Sequence, residues 1–160
     1  MAESVITQEM KDAIGVQGDE SVAEVTTTGI RLFARAVGHR DEIFYDETAA
    51  KARGYRSLVA PPGYLGTGLY RPRSEDAPST AGPPGGGFDI PYKRILNGGT
   101  SYQYLEPVVA GDVITSRSKI TEFREREGSM GAMLITYRET EFKRQDGTVV
   151  ARMFGNLIQY

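Results

Sequence analysis

The sequence predicts an α+β fold in which short helices come first and one continuous antiparallel sheet comes last. Three observations predict it. Helical periodicity is confined to the early part of the chain, segments rich in Val, Ile, Thr, Tyr and Phe fill everything from Gly99 onward, and turn residues separate those segments. A helix repeats its apolar face every 3.6 residues and a strand every two, so the change of period marks the change of element.

Taken in order, Ile6 to Ile14 is expected as a short helix and Val22 to Val25 as a short edge strand, with the hydroxyls of Thr26, Thr27 and Thr28 available as an N-cap. In the next segment Ile30, Phe33, Ala34 and Val37 fall at i, i+3, i+4 and i+7, one face of an amphipathic helix that Gly38 closes. Asp46 is placed to cap a second helix, Glu47 to Arg53, whose alanines permit close packing and whose stop is Gly54. Between Arg71 and Pro91 lie five of the eight prolines together with Gly82, Gly85, Gly86 and Gly87 and few apolar residues, which predicts a long loop. The Gly85–Gly87 run does not match a phosphate-binding pattern.

Four strands follow: Thr100 to Glu106, Asp112 to Glu125, Gly131 to Lys143 and Thr148 to Tyr160. Glu106-Pro107 with Ala110-Gly111-Asp112, then Glu127-Gly128-Ser129, then Gln145-Asp146-Gly147 supply the turns, and an antiparallel meander is expected. The last strand is apolar on both faces, with Val149, Ala151, Met153 and Leu157 on one and Val150, Phe154 and Ile158 on the other. Something is therefore expected to cover each side, the chain's own helices on one and a partner subunit on the other.

Composition narrows the chemistry. The 160 residues suffice for one domain with its own core, residues 1–160 in a single unit. With 19 Lys+Arg against 21 Asp+Glu and a net charge of -2, the chain lacks the basic excess that nucleic acid requires, so no nucleic-acid partner is expected. Zero Cys and a single His leave no thiolate nucleophile, no disulfide, no thiolate metal site and no cluster of imidazole ligands. No apolar run reaches the roughly 18 to 20 residues of a membrane span, and the first residues lack the basic and apolar regions of a secretion signal. A cytoplasmic protein without a membrane partner is the expectation.

The informative stretch runs from Ala36 to Tyr55 and continues into Leu58-Val59-Ala60-Pro61-Pro62. A helix, then Gly38-His39-Arg40-Asp41-Glu42-Ile43-Phe44-Tyr45-Asp46, an alanine-rich helix, the Gly54-Tyr55 step, and later Pro107-Val108-Val109-Ala110-Gly111-Asp112 occur in the order and spacing of a known family. Over nearly its whole length the chain resembles the MaoC-like, hot-dog-fold (R)-specific enoyl-CoA hydratases and 3-hydroxyacyl-thioester dehydratases, most closely their N-terminal-type, FAS1-like dehydratase domain. The resemblance implies a hot-dog fold: an antiparallel sheet wrapped around a central helix from about Pro62 to Tyr70, with a small helical overhang over Ile30 to Arg53. It also implies reversible addition of water to an enoyl thioester carried by CoA or by the phosphopantetheine of acyl carrier protein, with no covalently bound cofactor and no metal.

Carried over position by position, the family's catalytic Asp falls on His39, its Asn on Asp41 and its catalytic His on Phe44. Phe44 cannot carry a proton, and no other His exists. Where hydratases present Ala-His-Gly at the start of the central helix, this chain has Ala60-Pro61-Pro62-Gly63, and proline has no N–H to offer an oxyanion. The candidate set is therefore His39 and Asp41 as altered catalytic positions, and Phe44, Tyr45, Gly63, Tyr64, Gly98 and Gly99 as substrate-contacting positions. Three roles follow from the resemblance: the degenerate partner of a catalytic MaoC-like subunit, a homodimeric acyl-thioester binder without catalysis, or a homodimeric hydratase or thioesterase with chemistry relocated to His39 and a neighbouring carboxylate.

Overall fold

A computed structural model describes residues 4–67, 87–128 and 131–160. Its elements are α1 (Gln8–Asp12), β1 (Ser21–Glu24), α2 (Thr27–Ala36), a 3₁₀ turn (Glu42–Phe44), α3 (Glu47–Ala52), a second 3₁₀ turn (Tyr64–Gly66), β2 (Ile95–Tyr104), β3 (Val113–Gly128), β4 (Gly131–Arg144) and β5 (Val149–Gln159). The strands form one antiparallel sheet in the order β1-β3-β4-β5-β2.

The caps lie where hydroxyl and carboxylate side chains predict them. Thr26 Oγ1 accepts from Gly29 N at 3.0 Å to start α2, and Asp46 Oδ1 accepts from Ala49 N at 2.9 Å to start α3. Ile30 and Ala34 of α2 are fully buried, and Phe33 packs beside them. Val37, the fourth member of the predicted face, is the C-cap of α2 and is 51% exposed, because the helix ends before its stripe does.

The expected four-strand meander is only partly realised. β3, β4 and β5 are joined in sequence, but β2 does not pair with β3; it crosses to the far edge and pairs with β5, with Tyr102 opposite Met153. The residues between β2 and β3 are tied elsewhere: Ala60 N donates to Val108 O and Ala110 N to Leu58 O, each at 2.8 Å, and Val59 bridges Val109. The Pro-x-x-x-Gly-Asp corner closes on Asp112, whose buried carboxylate accepts from Val109 N at 2.9 Å and from Arg56 at 2.8 Å.

Alternation along the strands divides the sheet. Ile114, Ile120, Phe123, Leu134, Phe142 and Ala151 lie on the buried face, and the opposite face carries ion pairs such as Lys119–Glu139 at 3.1 Å and Arg152–Glu141 at 3.2 Å. The two apolar faces expected of β5 are rearranged by a bulge: Phe142 faces Ala151 and Lys143 faces Val149, so the intervening Val150 is the extra residue and both Val150 and Ala151 reach the core. Phe154 on the other face is 42% exposed.

Two apolar clusters cover the buried face. One joins α2, the overhang and the corner to Ile114, Phe142 and Val150; the other packs Met10 of α1 and Phe88, Ile90 and Tyr92 against Ile120, Phe123 and Leu134. The predicted loop 71–91 is thus anchored at its far end, where Phe88 meets Phe123 edge-on at 5.6 Å; residues 71–86 of that loop lie outside the described residues. The central helix expected over Pro62 to Tyr70 is not an α-helix in its described part, which holds only the 3₁₀ turn Tyr64–Gly66. Two prolines without N–H groups and the glycines Gly63 and Gly66 explain this, since the first cannot donate and the second favour turns.

Candidate functional site

The overhang is built by its own side chains. After α2, Gly38 takes φ +78°, and the His39 N–H donates to Ala34 O at 2.9 Å. Asp41 then starts the 3₁₀ turn by accepting from Ile43 N at 3.2 Å, and its other oxygen accepts from Arg53 at 2.8 Å. The Arg53 guanidinium, then the Ile43 N–H, hold the Asp41 carboxyl below its ordinary value. These contacts press Ile43 and Phe44 into the core, where the rings of Phe44 and His39 lie 5.3 Å apart.

Next to Phe44 is a pocket of about 400 Å³. Its walls include Phe44, Tyr55, Pro61, Pro62, Leu65 and Tyr104, with Glu106 beside them. The lining contains no imidazole, and its titratable side chains are Tyr55, Tyr104 and Glu106. Burial pushes the Tyr104 hydroxyl above its ordinary value, against the opposing effect of the bond from Gly63, so it stays protonated at neutral pH.

The first main-chain N–H after the two prolines is already used. Gly63 sits at φ +89°, a conformation that favours glycine, and its N–H donates to Tyr104 Oη at 2.6 Å. The Tyr64 N–H donates to Pro61 O at 3.1 Å and the Gly66 N–H to Gly63 O at 3.0 Å. What remains is an apolar recess suited to a hydrocarbon chain, with no carboxylate–imidazole pair for proton transfer.

Of the residues singled out in the sequence, Phe44 lines this pocket and Gly63 borders it through Tyr104. His39 and Asp41 are near one another in sequence but are not paired: Asp41 is held by Arg53, and among the described residues no ion pair joins His39 to a carboxylate. Tyr45 turns away, its hydroxyl donating to His39 O at 2.6 Å. Tyr64 is buried under α2, its ring edge-on to Phe33 at 5.8 Å and its hydroxyl against Gly29. Gly98 and Gly99 sit at the β2 bulge, and Gly99 lines a different hollow beside Phe154 and Asn156. Tyr55, Tyr104 and Glu106 are the lining residues that motif reasoning missed; the one available signal was the position of Tyr104 and Glu106 just ahead of the Pro107–Asp112 corner.

Sheet, overhang and pocket together define the hot-dog fold of MaoC-like hydratases and dehydratases. The chain belongs to the FAS1-like dehydratase domain region family, whose model matches residues 12–153. It is 36% identical over 122 residues to a UPF0336 protein of Parafrankia sp. (strain EAN1pec), covering 76% of this chain and 74% of that one. A UPF0336 protein of Streptomyces griseus is 34% identical over 106 residues, 66% of this chain and 67% of its own. Similar folds include the ChsH1–ChsH2 complex from Mycobacterium tuberculosis (TM-score 0.69, 18% identity, covering 90% of this chain and 84% of that one). They also include the HadBC (3R-hydroxyacyl-ACP dehydratase) complex from the same organism (TM-score 0.65, 21% identity, 91% and 98% covered) and an (R)-hydratase from A. caviae (TM-score 0.60, 16% identity, 90% and 94% covered).

Proposed function

We propose that this chain is the acyl-binding, non-catalytic half of an enoyl-thioester hydratase or 3-hydroxyacyl-thioester dehydratase, paired with a second hot-dog chain that supplies the carboxylate and the imidazole. The observation that carries the reading is the pocket beside Phe44: its walls are apolar, the family's imidazole position is a phenyl ring, and the nearby Gly63 N–H is consumed by Tyr104. The acyl chain of a thioester on CoA or acyl carrier protein fits such walls. Activating water does not, because water addition needs a group that accepts a proton and a donor for the thioester oxygen.

The place for a partner is the free side of β2. This strand spans ten residues at the edge of the sheet, and Ile95, Leu96 and Tyr104 along it, with Leu105 just after it, are exposed. An unpaired edge of that length offers backbone donors and acceptors to another strand. Tyr104 and Leu105 also line the pocket, so a chain docked there would sit beside the acyl group. Two of the similar folds, ChsH1–ChsH2 and HadBC, are complexes of two different chains, which agrees with this reading.

The test is co-expression with a MaoC-like chain that carries an intact Asp/His pair. Hydration of enoyl-CoA substrates by the mixture and none by either separated preparation of this chain is the expected result. A mixture inactive on every enoyl thioester tried, with no complex formed, contradicts the proposal. A reading in which His39 works with a neighbouring carboxylate lacks support in the geometry, since Asp41 is committed to Arg53.

A further inference from the structure

Another cavity, of about 440 Å³, opens on the buried face of the sheet between the residues preceding β1 and the Tyr64–Gly66 turn. Arg138, on the central strand β4, contributes to it, together with Ser116, Ser118, Thr140, Thr67 and Asp19. Arg138 stands opposite Gly155 on β5 and Ile120 on β3, in the stripe of the sheet between the two apolar clusters. Its burial is enough to pull the guanidinium below the ordinary arginine value, with desolvation as the cause.

The arginines around it are treated differently. Arg53, Arg56, Arg117, Arg124, Arg144 and Arg152 each hold a carboxylate within ion-pair distance, and the described arginines without one, Arg31, Arg35, Arg40, Arg94 and Arg126, are exposed to water. Arg138 has no such partner among the described residues. A guanidinium presents five N–H donors in a planar fork that fits the two oxygens of a carboxylate or phosphate. Removing it from water without supplying acceptors is costly, so a half-buried fork with no carboxylate partner among the described residues, in a cavity that also offers hydroxyls, calls for an oxyanion.

We propose that this cavity, which meets the Phe44 pocket only at Leu65, is an anion-binding site in which Arg138 receives a carboxylate or phosphate group of a small ligand alongside the hydroxyls of Ser118 and Thr140. Those two hydroxyls now bond to each other at 2.6 Å, which leaves one proton between them free to turn to a guest. Asp19 lines the same cavity and opposes an anion, so it limits the affinity.

The experiment is a thermal-shift and calorimetric titration of the full chain at constant ionic strength, with inorganic phosphate, glutarate, and neutral glutaramide as probes. Wild-type protein is expected to bind phosphate, glutarate or both, and not glutaramide; the anion that binds identifies whether phosphate or carboxylate is the natural group. Arg138→Met should abolish the response while melting at or above the wild-type temperature without anion, because it removes an unpaired, desolvated charge. Arg138→Lys should bind about tenfold more weakly, having lost the fork, and Asp19→Asn should bind more tightly. An equal anion response in wild type and Arg138→Met, no response to either anion up to tens of millimolar, or a large loss of stability in Arg138→Met without anion would each overturn the proposal.

Discussion

At position 44 a buried phenyl ring lines the pocket, at the position to which the sequence resemblance assigns an imidazole. Replacing it does not rebuild the chemistry. Phe44→His is expected to leave enoyl-CoA hydration at the rate of buffer, because the Gly63 N–H remains bonded to Tyr104, prolines stand at 61 and 62, and Asp41 remains bound to Arg53. A continuous assay of crotonyl-CoA loss checks this. Titration gives a second prediction at this scale. Hydrogen bonds, the first from the Ala49 N–H, hold the Asp46 carboxyl below its ordinary 3.8. A depressed carboxyl adds stability that is complete above the unfolded value and lost as pH falls through the folded one. Asn caps a helix about as well as Asp but does not titrate. Melting curves should therefore show Asp46→Asn close to wild type at pH 7 and falling less steeply between about pH 5 and pH 3.

Among the elements, the turn at Tyr64–Gly66 decides most. Gly63 enters it at φ +89°, and a Cβ there would lie 3.4 Å from Phe33 Cζ. Gly63→Ala should cost about 1–2 kcal/mol in denaturant unfolding, as a side chain forced into the left-handed region does. The same element marks the border of what the sequence discloses. Local signals carried α2, α3 and the three long strands to within a few residues, because hydroxyl and carboxylate caps, glycine stops and the Asp-Gly turn act over three or four positions. Prolines 61 and 62 announced the loss of donors. They did not announce that Tyr104 would take the Gly63 N–H, since 41 residues separate that pair and only the folded corner brings them together.

For the whole molecule, strand order was the part that periodicity could not reach. Composition marks β2 as a strand but not which neighbour it takes, and the crossing to β5 accompanies the binding of Val108–Ala110 to Leu58–Ala60. That crossing leaves β2 at an edge, with Leu96 42% exposed. A charge placed there should block an approaching strand without unfolding the sheet. Leu96→Lys is expected to lower the mass of the assembly measured by light scattering while the melting temperature of the isolated chain stays within a few degrees. Phe44 was legible through its motif; Tyr55 stands in the same motif and Glu106 just ahead of the Pro107–Asp112 corner, but that both reach the Phe44 pocket depends on the folded corner meeting the overhang, which local sequence does not disclose.

The proposed division of labour between two chains is tested most directly by enoyl-CoA hydration and solution mass, measured on this chain alone and after co-expression with a MaoC-like chain bearing the intact Asp/His pair. No turnover by the chain alone and turnover by a heteromer of the two is the expected result. A homo-oligomer of this chain that hydrates the substrate by itself would contradict it.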